Sequence, residues 1–439
     1  MRTIARKDLT IKKTLFSLVF VATSALILTS YLFFRERNSG RETPDIIIKA
    51  PFDFASDFSS GLALVRIGRY ENEKSYYIDH TGKVVIAIAS DSRTPFRVFP
   101  FSEGLAPIMI GFTDWAYYKG GKWGCIDKTA EIVIKPRFDY ADAFSDGMGR
   151  IREGPHRGGK WGFVDKTGKL VIPPTFIHAE NFKEGLAIVY VDGLWKDGSL
   201  AGGKWAFVDK TGRLTNVLKV DYLESFSEGL AKIRVGMKWG FVDKTGQIVI
   251  EPKFDDASHF SEGLAWVKVG VERVKGLPRG GKYGYIDKTG SVVIEPIYDQ
   301  VSSFSEGLAV VLIGSSRKGD YCNYIDRSGK VVIKTKYNLA GDFSEGLACV
   351  AIGVLHEPSK PLDTTWGYID KTGKTVIQPQ FVDLVGDFHN GLAWVDVSPN
   401  RCRYNYIDTT GKFIFTPASN DLAPRLVADL GRGRTDATN

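Results

Sequence analysis

The shortest repeat of the chain shows its pattern most plainly. After Gly229, LAKIRVG alternates apolar Ala231, Ile233 and Val235 with polar Lys232 and Arg234, the period of a half-buried strand. KWGFVD follows, with Trp239 and Phe241 directed to one side and Val242 to the other, so this second strand is apolar on both faces. DKTG predicts a tight turn: its aspartate can accept from the backbone just ahead, and its glycine is free to take positive φ. A third strand, QIVIEP, stops at Pro252, which cannot donate to a ladder. The segment KFDDASHFSE then carries Phe254 and Phe260 toward the core and delivers the chain to the next GLA phrase. The predicted unit is a three-stranded antiparallel meander plus a return segment.

That unit recurs nine times. The glycine of GLA and its variants stands at 61, 104, 147, 185, 229, 263, 307, 346 and 391, and the aspartate of the DKTG phrase falls once between successive copies and once after the last. A strand that is apolar on both faces needs cover on both, and stacking each small sheet on its neighbours supplies it. Three strands per unit, irregular spacing and nine copies predict an all-β repeat array in the form of an open, curved solenoid; a closed, propeller-like array is the alternative.

One segment breaks the pattern. Leu15 to Phe34 carries no charge for 20 residues, enough to cross about 30 Å of hydrocarbon as a helix. Arg2, Arg6, Lys7, Lys12 and Lys13 precede it, whereas acidic residues dilute the flank beyond, so the N-terminus is expected inside and the repeats outside the cytoplasmic membrane. A cleaved signal peptide, with secretion of the remainder, is the alternative. The expected organisation is a cytoplasmic tail (1–14), a transmembrane helix (15–34), a linker (35–49), the repeat domain (50–417) and a C-terminal tail (418–439).

The net charge of +7 could suggest nucleic acid, but residues 1 to 42 hold eight Lys or Arg against three Asp or Glu, leaving the rest of the chain at only +2. A nearly neutral repeat domain offers no phosphate-binding footprint. Cys125, Cys322, Cys349 and Cys402 permit three disulfide pairings and show no zinc-ligand spacing.

The phrases GKWGCIDKTAEIVIKPRF, GKWGFVDKTGKLVIPPTF, MKWGFVDKTGQIVIEPKF and TWGYIDKTGKTVIQPQF, each leading toward an FSEGLA-like phrase, resemble the WG-repeat proteins, a mostly bacterial family. The resemblance implies a β-rich repeat domain on a cell-surface or exported protein and supplies no shared catalytic residues. Four units depart at the Trp position (Ser75, Tyr283, Cys322, Tyr404) and three at the following glycine (Ala206, Asn323, Asn405).

No catalytic constellation emerges. The DKTG aspartates and the acidic residues before GLA (Glu103, Asp146, Glu184, Glu228, Glu262, Glu306, Glu345) appear once per turn, which is the signature of a turn requirement. The six histidines form no i, i+4 pair, and neither a nucleophile elbow nor a Walker phrase is present. No enzyme activity, cofactor or metal is therefore expected. Candidate ligand contacts are the unrepeated residues. Tyr190, Trp266, Lys268 and Trp394 stand on the outward side of the first strand, where a solvated face would seldom carry aromatics. Trp115, Tyr117, Tyr118 and Trp195 lie in long insertions between first and second strands, at one edge of the array. These features predict a binding or structural module that engages an envelope protein, with carbohydrate or peptidoglycan-fragment binding as the alternative and an unrecognised hydrolase after that.

Overall fold

A computed structural model describes residues 48–68, 73–89, 96–112, 120–274, 277–314, 321–352, 364–382, 384–398 and 403–415. The proposed membrane span, Trp115, Tyr117, Tyr118 and Cys402 lie outside the described residues. Among those described, no helix is long and apolar enough to cross a membrane.

Every described element is a strand. Eight four-stranded antiparallel sheets follow one another along the chain, and a ninth, smaller sheet pairs Leu392–Asp396 with Tyr404–Asp408. The fifth sheet shows the plan: an inner strand Tyr222–Ser227, a second Leu230–Val235, a third Lys238–Asp243 and an outer strand Ile248–Phe254. The inner strand is the return segment of the preceding repeat, which pairs Tyr222 with Arg234 and Ser227 with Leu230. The unit is thus four-stranded, where the sequence pattern predicts three; the return segment is polar enough to read as a connection, yet its backbone completes the sheet. The third strand is buried on both sides, as expected: Phe241 and Val242 are buried in the cores shared with the blades on either side.

The glycine after Trp has a specific cause. The outer strand bulges where Trp239 pairs with Phe254 and Phe241 with Ile250. A Cβ on Gly240 would sit 2.7 Å from the Pro252 nitrogen of that bulge. In the fourth blade, which has Ala206 at this position, the outer strand carries no proline, and Trp205 pairs with Leu218 and Ala206 with Val217 before the register shifts between Ala206 and Phe207. The two departures compensate each other.

The array is closed. In blade after blade the aromatic residue two positions beyond the Trp site packs on the phenylalanine of the next blade, as in Tyr285 with Phe304 (centroids 5.0 Å) and Tyr368 with Phe388 (4.9 Å). The same contact joins the ninth blade to the first, Tyr406 on Phe58 at 5.5 Å. Where that aromatic is tyrosine, its hydroxyl donates to a carbonyl of the next inner strand: Tyr77 to Phe99, Tyr285 to Ser302, Tyr324 to Gly341, Tyr368 to Gly386 and, across the seam, Tyr406 to Ser56. The ninth blade borrows its outer edge from both chain ends. Phe413 bridges Ile407, while Phe52 bridges Tyr404 and packs on Phe415. The expected open solenoid is therefore corrected to the closed alternative, a β-propeller of eight full blades completed by a ninth, narrower one. Curvature that returns the last repeat onto the first, and an N-terminal strand left over to seal it, are properties of the ring that no single repeat displays.

Candidate functional site

The repeated polar residues are consumed by the frame. Each DKTG aspartate accepts from the N–H groups two and four residues ahead, and from the hydroxyl two ahead; for Asp243 these are Thr245 and Gln247. The Thr167 hydroxyl, foremost, holds the Asp165 carboxyl below the usual carboxylate range. The acid before each GLA has a second use beyond its turn. Glu228 sits at φ +53°, Gly229 at +88°, and the two make the two-residue hairpin between inner and second strands. The Glu228 carboxylate reaches into the next blade, accepts the Gly263 N–H at 2.9 Å and pairs with Lys288 at 3.0 Å. Glu103, Asp146, Glu184, Glu262, Glu306 and Glu345 repeat the bond to their own next blade. The serine before each such acid except Glu184, which follows Lys183, donates to the phenylalanine carbonyl of that same neighbour, as Ser227 does to Phe260 at 2.7 Å.

The outward ladder of the second strand is mostly interface. Arg66, Arg152, Lys232 and Tyr190 are buried. Lys232 lies 4.2 Å above the Trp239 ring and donates to the Ala257 carbonyl of the next blade. Between blades two and five, aromatic rings follow one another from Phe99 through Trp123, Tyr140, Trp161, His178 and Trp205 to Tyr222. Burial, with Arg150 adding to it, lowers the His178 pKa to about 4, so this ring is neutral at physiological pH.

The predicted contacts within the described residues fall in four places. Tyr190 is buried and its hydroxyl accepts the Gly203 N–H at 3.0 Å. Trp195 is half-buried, donates to the Ile177 carbonyl and packs on His178. Trp266 and Lys268 are half-buried against Tyr283. Trp394 lines a cavity.

That cavity, of about 580 Å³, lies where the inner strands of blades one, two and three meet the ninth. Asp57, Phe99, Trp123, Tyr140, Asp142 and Trp394 line it. Trp394 lies in the strand Leu392–Asp396, and Gly386, in the segment that bridges it through Val385 and Val395, leaves room for the indole; a Cβ there would stand 2.7 Å from Cε2. The indole N–H donates to Asp57 Oδ1 across the seam at 3.0 Å. Asp142 is paired with Arg150, which also donates to the Ala179 carbonyl. Of the six lining residues named, only Trp394 is singled out by sequence pattern. The others precede the FSEG phrase or hold the Trp position, and only ring closure shows that these stretches meet. The described residues hold no group of His, Cys, Asp and Glu fit for a metal ion. Cys125, Cys322 and Cys349 are free and buried, and burial pushes their thiols up to about 12, 11 and 12.

A profile of the WG containing repeat matches nine segments, residues 42–69, 77–111, 123–154, 161–195, 205–239, 239–270, 283–315, 324–353 and 366–397. No curated protein matches the chain. Among solved structures, a eukaryotic initiation factor is similar at 12% identity and a TM-score of 0.51, covering 76% of this chain and 89% of that one. Prolyl oligopeptidase B from Galerina marginata is similar at 11% identity and a TM-score of 0.37, covering 90% of this chain and 59% of that one. At these identities the likeness concerns the fold alone.

Proposed function

Since this chain belongs to the WG containing repeat family, whose nine segments span most of its length, we propose that it is a non-enzymatic binding module whose central cavity takes a small glycan. The supporting observation is the cavity itself: its volume suits a ligand of a few sugar rings. Phe99, Trp123, Tyr140 and Trp394 offer flat apolar rings for the C–H faces of sugars, and the Asp57 carboxylate offers an acceptor for hydroxyl groups. The outward aromatics that would have served a protein partner are largely spent between blades, which moves the reading from a protein partner toward a small ligand. In this reading residues 15–34 anchor the ring on the outer side of the cytoplasmic membrane, facing the envelope, and nucleic acid is no partner. Calorimetric titration of the protein with soluble peptidoglycan fragments and with N-acetylated chito-oligosaccharides tests the proposal. Saturable binding that Trp394→Ala abolishes is expected; no binding of either, or equal binding by the variant, overturns it.

A further inference from the structure

Acids stand at the inner edge of several blades, but the ring neutralises only some of them. In blade three Asp142 is paired with Arg150, and in blade five Glu224 is held by Lys232 at 3.0 Å and by His259 of blade six at 3.0 Å. Arg150 and Lys232 occupy the same position of the second strand, three residues after the GLA glycine. In blade one that position holds Leu64, while Asp57 stands just beyond the inner strand. Asp57 is exposed, lines the cavity with Asp142 and Trp394, and receives one neutral donor, the Trp394 indole; no described cation pairs with it.

We infer that the cavity selects a ligand bearing an ammonium group, and that Asp57 determines this specificity, with the Trp394 face beside it completing the cation site. An ammonium placed there supplies the positive charge that Arg150 and Lys232 supply in blades three and five, and an aromatic face attracts it as well. On the glycan reading, on which this inference rests, the ligand is an amino sugar with its amine free rather than acetylated.

Two probes that differ only at that group test it: a glucosamine tetramer and its N-acetylated counterpart, titrated into the full-length protein at a pH where the amines are charged and the carboxylates ionised. The free-amine tetramer is expected to bind at least about tenfold more tightly, the effect of one effective charge pair. Asp57→Asn should erase that preference, its amide oxygen still accepting the Trp394 N–H; an unchanged thermal midpoint confirms that the variant is folded. Equal affinity of the two tetramers in the wild type, or a preference that survives in Asp57→Asn, overturns the inference and leaves the glycan reading standing. Failure of both tetramers and of peptidoglycan fragments to bind overturns both.

Discussion

At the residue scale, the acid before GLA shows how a repeated letter can carry two duties. A non-glycine residue at φ near +53° is strained, and an asparagine or glycine would satisfy the turn more cheaply. Glutamate persists there because its carboxylate crosses to the next blade. Glu228→Ala should cost about 1–2 kcal/mol in denaturant unfolding, a charged hydrogen bond in a partly exposed setting, and Glu228→Gly less, because it relieves the φ strain. Equal losses would show that the φ strain contributes little. The same residues set a pH response. Burial opposes ionisation of Glu228 and Glu306, but hydrogen bonds from Lys288 or Lys371 and from the next blade's glycine outweigh it, and their carboxyls lie below the ordinary value. Groups depressed in the folded state contribute stability that is complete above their unfolded pKa and is lost as pH falls through the folded one. Thermal midpoints measured across the acid range should therefore fall on acidification, and Glu228→Gln/Glu306→Gln should flatten that fall. The turn duty was legible in the sequence from repetition alone; the second was not, because its partner lies some 35 to 46 residues further on.

At the scale of the strand, the Trp-Gly pair and the VIEP outer strand are one device. Gly240 leaves room for the bulge that Pro252 helps to form, whereas blade four, which has Ala206, lacks the proline and shifts register one step later, between Ala206 and Phe207. Gly240→Ala should destabilise the protein by about 1–3 kcal/mol as an overpacked contact against backbone, whereas Ala206→Gly should cost at most about 1 kcal/mol. Unfolding curves for the two variants check this, and the reverse ranking would refute the pairing. Three of the four strands were legible from alternation and turn chemistry. The fourth was not, since its short, polar run Asp256–Ala257 looks like a connection and becomes a strand only when Lys268 and Val267 of the following repeat stand beside it. Asp255 was missed for a similar reason: it holds Lys238 on the third strand of the preceding blade and the Val271 N–H on the second strand of the following one.

At the scale of the molecule, what matters is the seam. Nine near-identical phrases do not say whether they curl shut, and the residues that decide it are the unrepeated ones: Phe52 on Tyr404 and Phe415, Arg403 on Asp53, and Trp394 on Asp57. The cavity was invisible in the sequence for that reason, being assembled from stretches more than 330 positions apart. Phe52 is fully buried. Phe52→Ala should cost about 3–5 kcal/mol and raise hydrogen exchange in the first and ninth blades well before the fifth; uniform exchange would mean that the seam is no weaker than the other interfaces. The account depends above all on closure, because an open array has no central cavity. Small-angle X-ray scattering from a fragment spanning residues 48–415 measures it directly. A closed ring predicts a radius of gyration near that of a compact domain of this length, about 21 Å, with a single symmetric peak in the distance distribution. A markedly larger radius, with a long tail in that distribution, would mean an open solenoid and would remove the site proposed here.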